Sequence, residues 1–324
     1  MNSVSADTGL PAYARFVDDR RGALALAVVR QTLRRSIRNR ISVSMDLAAT
    51  RRHVERFDAQ FGSLDRATKR TAVEHDLFAA EWIDVPQAQP DRVLLYFHGG
   101  AFMFRSPTVH AAMLARCCGL LGARGLMVDY RLAPEHPFPA APDDCHTAYR
   151  WLLAQGLDPK SIVIGGDSAG ANLALVTLQR INSAAEPLPA CGVLLSPFAD
   201  FSLSSPSLLS NEASDVMISL AAAVGLRALY AGPERYLDPG VSPLFGDFTG
   251  LPPLLFQASS TEMLLDDARR SAARADACGV PVQLEIWRGM PHVFQAMQML
   301  PQSGAAIAGI ARFIGQHTGW TAGR

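Results

Sequence analysis

No sign of charge predominates in this 324-residue sequence, where 30 Lys and Arg balance 30 Asp and Glu. That balance excludes global steering toward a polyanion, so no nucleic-acid partner is expected. Long apolar runs are missing as well. The stretch "GALALAVV" at 22–29 ends at an arginine after eight residues, far short of the roughly 18 to 20 needed to cross a bilayer. The opening "MNSVSADTGLPAYARF" has no basic stretch followed by an apolar one, so neither a secretory leader nor stable membrane insertion is expected. Cysteine is sparse and odd in number: Cys117, Cys118, Cys145, Cys191 and Cys278 contain no CxxC pair. A disulfide framework and a zinc knot are thereby set aside, no metal is expected, and a reducing, cytoplasmic setting fits. No internal repeat is evident. What the chain does have is an even spread of apolar residues, enough for a large globular core.

The first sixty or so residues differ from the rest. Leu24, Leu26, Val28, Val29, Leu33 and Ile37 recur at imperfect helical spacing, and Arg30, Arg34, Arg35, Arg38 and Arg40 follow without an intervening acid. The first reading is a helix whose arginines face water while its leucines cover something else. The second is a basic amphipathic helix for a membrane surface or nucleic acid. From Thr71 onward, eight short apolar strands are expected: "TAVEH", "FAAEWIDV", "RVLLYF", "GLMVDY", "SIVIGG", "CGVLLS", "PPLLFQAS" and "VQLEIW". Helical stretches separate several of them, among them "HAAMLARCCGLLGAR", "PDDCHTAYRWLLAQ", "SAGANLALVTLQRINS" and "LLDDARRSAARADACG". Such alternation implies an α/β fold with a predominantly parallel sheet covered on both faces. Two pieces stand outside it, 1–65 and 201–231, and together they are expected to form a helical cap over the carboxyl end of the sheet. The sheet domain then has two parts, 66–200 and 232–324.

"SIVIGGDSAGANLALV" reads as strand, tight turn and helix. Gly166 to Gly170 match G-x-S-x-G, the nucleophile elbow, in which Ser168 occupies a strained strand-to-helix corner. Glycines flank it because a Cβ on either side would crowd the corner. The helix that follows aims free N–H groups at the same point. The competing reading is a structural turn with an N-capping serine. "LLYFHGGAF" adds a second glycine turn after a strand, where Gly99 and Gly100 can offer N–H groups to an oxyanion, with Ala169 as the third donor. His98, just before that turn, is read as holding it, because the base that serves such an elbow comes last in chain order. That base is His292, in the loop "RGMPHVF" after the final strand, with only His317 behind it. For the acid, "QASSTEMLLDDARR" offers Glu262, Asp266 and Asp267. Glu262 falls in the loop at the strand's end and is preferred. Asp266 is the second choice, because it and Asp267 already have a role in the positive first turn of the next helix.

With these pieces aligned, the sequence resembles the bacterial hormone-sensitive-lipase-like carboxylesterases of the α/β-hydrolase superfamily. The matching text is "HGGAF" at 98–102, "DYRLAPEHPFPAAPDD" at 129–144, "GGDSAGANLA" at 165–174, "LLSPFAD" at 194–200 and "PHVF" at 291–294. The resemblance implies an eight-stranded α/β-hydrolase domain. Its cap would come from the N-terminal helices and an insertion after the sixth strand. It also implies Ser168 as nucleophile, Glu262 as acid, His292 as base, and Gly99, Gly100 and Ala169 as oxyanion donors. The family usually carries HGGG, whereas Ala101 stands at the third glycine here, and HGF around the base is His292-Val293-Phe294. Most members use aspartate as the acid, with glutamate an accepted variant. The "YRLAPEHPFPA" loop is expected to brace the two turns, with Arg131 and Glu135 helping to order it.

The expected reaction is two-step acyl transfer on short- to medium-chain esters, with no organic cofactor. Phe102, Met103, Phe104, Phe198, Phe201, Leu208, Leu209, Met217, Met290, Val293 and Phe294 are candidates for an apolar pocket. Two alternatives stay open: an amidase or lactonase using the same residues, and a non-catalytic small-molecule receptor on the same fold. A homodimer through a sheet edge is also open.

Overall fold

A computed structural model describes residues 9–39 and 46–321. Arg40 lies outside them. The chain opens with β1 (Ala14–Val17), α1 (Ala23–Leu33) and α2 (Leu47–Phe61). It continues through β2 (Lys69–Val73), β3 (Ala80–Asp84), β4 (Val93–Phe97), α3 (Pro107–Leu121), β5 (Arg124–Val128) and α4 (Ala140–Ala154). Next come β6 (Ile162–Asp167), α5 (Ala169–Ser183), β7 (Cys191–Leu195), α6 (Ser207–Ser210) and α7 (Leu220–Tyr230). The last elements are β8 (Leu254–Ser259), α8 (Leu265–Ala277), β9 (Val282–Trp287) and α9 (Pro301–Thr318).

The sheet runs β1-β9-β8-β7-β6-β4-β5-β3-β2. Among the described strands only β3 runs opposite to the rest, antiparallel to both β2 and β5. Among the described residues nine strands replace the eight expected, because "ARFV" in the N-terminal segment pairs in parallel with β9. A four-residue strand carries too little alternation to stand out in a segment that otherwise reads as helix. The middle strands are apolar throughout because both faces are covered. On β4, Val93, Leu95 and Phe97 face one core, and Leu94 and Tyr96 face the other. Helices α4, α5 and α8 contribute to the first core, and α3 and α9 to the second. Fully burying a Leu or Ile side chain contributes about 1.5–3 kcal/mol, and the five cysteines are free thiols.

Strand order places the site. From β4 the chain crosses to β5 on one side and then returns to β6 on the other, with Phe97 opposite Gly166. The turns leaving β4 and β6 therefore emerge side by side, at the kind of switch point where open sheets bind ligands. Above them lie the two exceptional segments. Leu33 is buried, but Leu24 and Val28 are exposed, so α1 does not divide into a wet basic face and a covered leucine face. Arg30 of α1, with Arg34 and Arg38 of the turn of helix that follows it, instead reaches mainly to the second segment. Arg30 donates to the carbonyls of Ser214 and Gly289, Arg34 to that of Ala213, and Arg38 to that of Ile218. These bonds satisfy carbonyls of irregular chain that no ladder uses. At the other end, buried Asp58 of α2 accepts the N–H groups of Thr108 and Val109, capping α3. Among the described residues, no helix is long and apolar enough to cross a membrane.

Candidate active site

Ser168 occupies the single residue between β6 and α5, at φ 53° and ψ −115°. A non-glycine residue held there costs on the order of 1–3 kcal/mol, and its surroundings explain why it stays. Its N–H donates to the Leu195 carbonyl at 2.8 Å, and its own carbonyl accepts from Asn172 and Phe198. The flanking glycines are required by contact rather than by dihedral angle. A Cβ at Gly166 would lie 2.3 Å from the Gly170 carbonyl oxygen, and one at Gly170 would lie 1.9 Å from that of Phe97. The Ser168 hydroxyl makes no capping bond to the helix, which removes the structural-cap reading.

That hydroxyl meets His292 instead, with Oγ 2.9 Å from Nε2. The other ring nitrogen, Nδ1, is 2.6 Å from Glu262 Oε2. A carboxylate only accepts, so the Nδ1 proton donates to Glu262 and the Nε2 lone pair faces the serine hydroxyl. Glu262 is held in turn by the Ser259 N–H, 2.8 Å from Oε1. Both side chains are buried. Burial alone would lower the His292 pKa; the hydrogen bond and charge of Glu262, helped by Asp215 and Asp167, outweigh it and raise the pKa above its usual value.

Asp266 is elsewhere, accepting from the Ser207 N–H and pairing with Arg269. Asp267 is fully buried and accepts from the N–H groups of Ala199 and Asp200. These two carboxylates therefore do more than favour a helix start: they anchor the beginning of the 201–231 segment.

The glycine turn after β4 divides its amides. The Gly99 N–H does not point at the serine; it donates to Asp167 Oδ1 at 2.9 Å. Gly100 and Ala101 line the cavity in front of Ser168. Their N–H groups, like that of Ala169 at the start of α5, have no partner among the described residues. The free pair is thus shifted one residue along from the expected Gly99 and Gly100. The shift was hidden because the carboxylate that captures Gly99 lies 68 residues away in sequence. Ala101 adopts φ 53° and Phe102 φ 62°, a left-handed turn held by the Met103 and Phe104 N–H groups donating to the Gly100 carbonyl. His98 is buried, stacked on Tyr130 at 4.4 Å. Burial, with the neighbouring His110, holds its imidazole down to about 3. It is neutral, and its Nδ1 donates to the Gly99 carbonyl at 2.7 Å, so it holds the turn as the sequence suggested.

The bracing loop is ordered by partners outside itself. Arg131 pairs with Asp144 of α4. Glu135 pairs with Arg51 of α2, which also donates to the Met103 and Ala133 carbonyls.

In front of Ser168 lies a cavity of about 970 Å3 whose lining is overwhelmingly apolar. Of the residues expected there, Phe102, Phe104, Phe198, Phe201, Met217 and Val293 line it. Met103, Leu208, Met290 and Phe294 are buried away from it, and Leu209 is exposed. Val29 and Leu33 of α1 and Val54 and Phe57 of α2 form part of the wall, with Ala222, Ala223 and Leu226 of α7 beside them; no local pattern singled out the two α2 residues. Among the described residues, no group of three or more His, Cys, Asp or Glu side chains could hold a metal ion.

Comparison with known proteins gives a consistent result. The family described as the alpha/beta hydrolase fold matches residues 94–296. An esterase of Acinetobacter venetianus is 40% identical over 235 residues, 70% of this chain and 76% of that protein. An acetyl-hydrolase of Streptomyces hygroscopicus is 41% identical over 247 residues, 74% of this chain and 80% of its own length. Among solved structures, an esterase from the bacterial hormone-sensitive lipase family superposes with a TM-score of 0.86 at 39% identity, covering 90% of this chain and 98% of that one.

Proposed function

The chain belongs to the alpha/beta-hydrolase fold family, and from that premise we propose that it is a serine carboxylesterase acting on short- to medium-chain esters through an acyl-enzyme on Ser168. The observation that carries the reading is the relay of two hydrogen bonds, 2.9 Å from Ser168 to His292 and 2.6 Å from His292 to Glu262. Ser168 Oγ attacks the ester carbonyl while His292 Nε2 takes its proton. His292 returns that proton to the departing alkoxide, and the C–O bond to the alcohol breaks. Water then enters, gives a proton to the same nitrogen and cleaves the acyl-serine bond, releasing the acid and restoring the hydroxyl. Glu262 keeps the imidazole in the productive tautomer and balances its transient charge.

The developing oxyanion is received by the unpaired amides of Gly100, Ala101 and Ala169. Each such donor is worth about 2.7–4 kcal/mol in the transition state. Helices α1 and α2, with the 201–231 segment, act as the cap, supplying the apolar wall that binds acyl and alcohol groups and keeps bulk water from the intermediate; the earlier part of the 1–65 segment instead gives the sheet its strand β1.

Mass spectrometry after treatment with a fluorophosphonate tests the reading. A single adduct on the Ser168 peptide, together with faster turnover of soluble short and medium acyl esters than of emulsified long-chain triglycerides, is expected. An unmodified Ser168, or an adduct on another serine, removes it. The raised His292 pKa sets a pH dependence. The base must be unprotonated, so kcat/KM should rise with pH through a midpoint above 6.5, the ordinary imidazole value. Steady-state rates across neutral pH check this, and a midpoint well below 6.5 contradicts it.

A further inference from the structure

Beside the catalytic serine lies a second buried His–carboxylate pair that the reaction described above does not use. Asp167, the residue before Ser168, is buried. Its Oδ1 accepts from the Tyr96 hydroxyl at 2.8 Å and from the Gly99 N–H at 2.9 Å. Its Oδ2 faces His110 Nε2 at 3.3 Å. The other His110 nitrogen, Nδ1, is 2.9 Å from the Ser106 carbonyl oxygen. Both ring nitrogens therefore face oxygens that can only accept, and only the doubly protonated imidazolium satisfies both. Burial opposes that charge, but Asp167, with the Ser106 carbonyl and Asp58 beyond it, outweighs burial and raises the His110 pKa. His98 is the other titratable ring close by, with centroids 5.7 Å apart, and it is neutral.

The geometry of the turn shows what this ion pair could control. Asp167 grips the Gly99 amide so closely that a Cβ on Gly99 would lie 2.1 Å from Oδ2. Gly99 is fixed from one side, and the Gly100 carbonyl by the Met103 and Phe104 N–H groups from the other. Gly100 and Ala101 line the cavity, and their amides have no partner among the described residues. A bare carboxylate next to the nucleophile would oppose the oxyanion that forms there, and a balanced one does not.

We propose that His110 and Asp167 are the positioning pair of the oxyanion turn. The imidazolium neutralises the carboxylate that holds Gly99, so that the Gly100 and Ala101 amides are set for the transition state before substrate arrives. The proposal rests on the ester-hydrolysing reading of Ser168; both residues are buried at the cavity wall, and the role assigned to them is to hold the turn, not to bind substrate.

A double-mutant cycle tests it, using His110→Gln, Asp167→Asn and the two together. Steady-state kinetics would use a soluble p-nitrophenyl ester, with thermal melting to confirm folding. His110→Gln leaves the carboxylate without a counter-charge. It should lower kcat by about 10- to 100-fold, somewhat less than loss of an oxyanion donor, with KM within about threefold because ground-state binding is untouched. Replacing both restores neutrality and keeps an acceptor for the Gly99 N–H. The double variant should then recover at least about fivefold of the lost kcat, a non-additivity that independent structural damage does not produce. If His110→Gln fails to fold, His110→Asn, measured alone and together with Asp167→Asn, gives the same comparison. A His110→Gln enzyme with kcat within twofold of wild type, or a double variant no more active than the folded single, overturns the proposal. Fluorophosphonate labelling separates the two levels. Unlabelled wild type removes the hydrolase reading and the pair's role with it, whereas labelled wild type with additive losses removes only the pair's role.

Discussion

Ser168→Ala lowers kcat on a soluble ester by roughly five to six orders of magnitude and leaves the melting temperature essentially unchanged. The activity loss follows from removing the only atom that can form the acyl-enzyme. What remains is rate enhancement from the oxyanion amides and substrate binding, of the order seen when any member of such a triad is lost. Stability is spared because the hydroxyl makes no capping bond to α5, and alanine tolerates φ 53° no worse than serine does. His292→Ala should give a loss of similar size, and the double variant should be no slower than either single one, because nucleophile and base act as a unit. Active-site-titrated kcat values for the three variants check this. A folded Ser168→Ala or His292→Ala protein with near-normal turnover would remove that residue from the chemistry.

Glu262→Gln should cost about 10^4-fold in kcat, while Asp266→Asn stays within about threefold of wild type. The two carboxylates are four residues apart, yet only Glu262 reaches His292, at 2.6 Å, while Asp266 is occupied by Ser207 and Arg269. A glutamine at 262 keeps the size but presents a neutral amide. It cannot balance the imidazolium, and its NH2 can force the ring into the tautomer whose Nε2 already carries the proton. The pH profile offers a second readout. With the Glu262 charge gone, the main influence raising the His292 pKa is gone, and the midpoint of residual activity should move down. The reverse ranking of the two variants would reassign the acid.

The central strands β4, β6 and β7 were legible because each is an apolar run bounded by turn residues, and the sheet that buries them leaves no polar face to blur the pattern; β2, exposed along most of its length at the sheet edge, carries a weaker signal. Ser168, His292 and Glu262 were legible for a different reason: each sits in a loop at a strand's carboxyl end, in the order an elbow chemistry needs. Pairing at long range was not legible. The capture of Gly99 by Asp167 joins residues 68 apart, and the His110–Asp167 contact joins residues 57 apart; nothing local in "GGDSAG" or "TVHAA" announces either. The C-terminal helix α9 was passed over because its Ala- and Gly-rich sequence has only a narrow apolar stripe, Ile307, Ile310, Phe313 and Ile314, which is buried. Arg30, Arg34 and Arg38 were read as facing water because their partners are backbone carbonyls of distant loops, which carry no sequence signature.

The short strand β1 changes how the N-terminal segment can be handled in protein engineering. Trimming it to widen substrate access would strip a ladder from β9 and part the buried Glu285 from Arg15, its ion-pair partner. The exposed β9 edge would become a template for another chain, so a shortened enzyme is a candidate for self-association before it is a candidate for broader specificity. Redesign of the entrance is better confined to side chains of α1 downstream of that strand, where Leu24 and Val28 already face solvent.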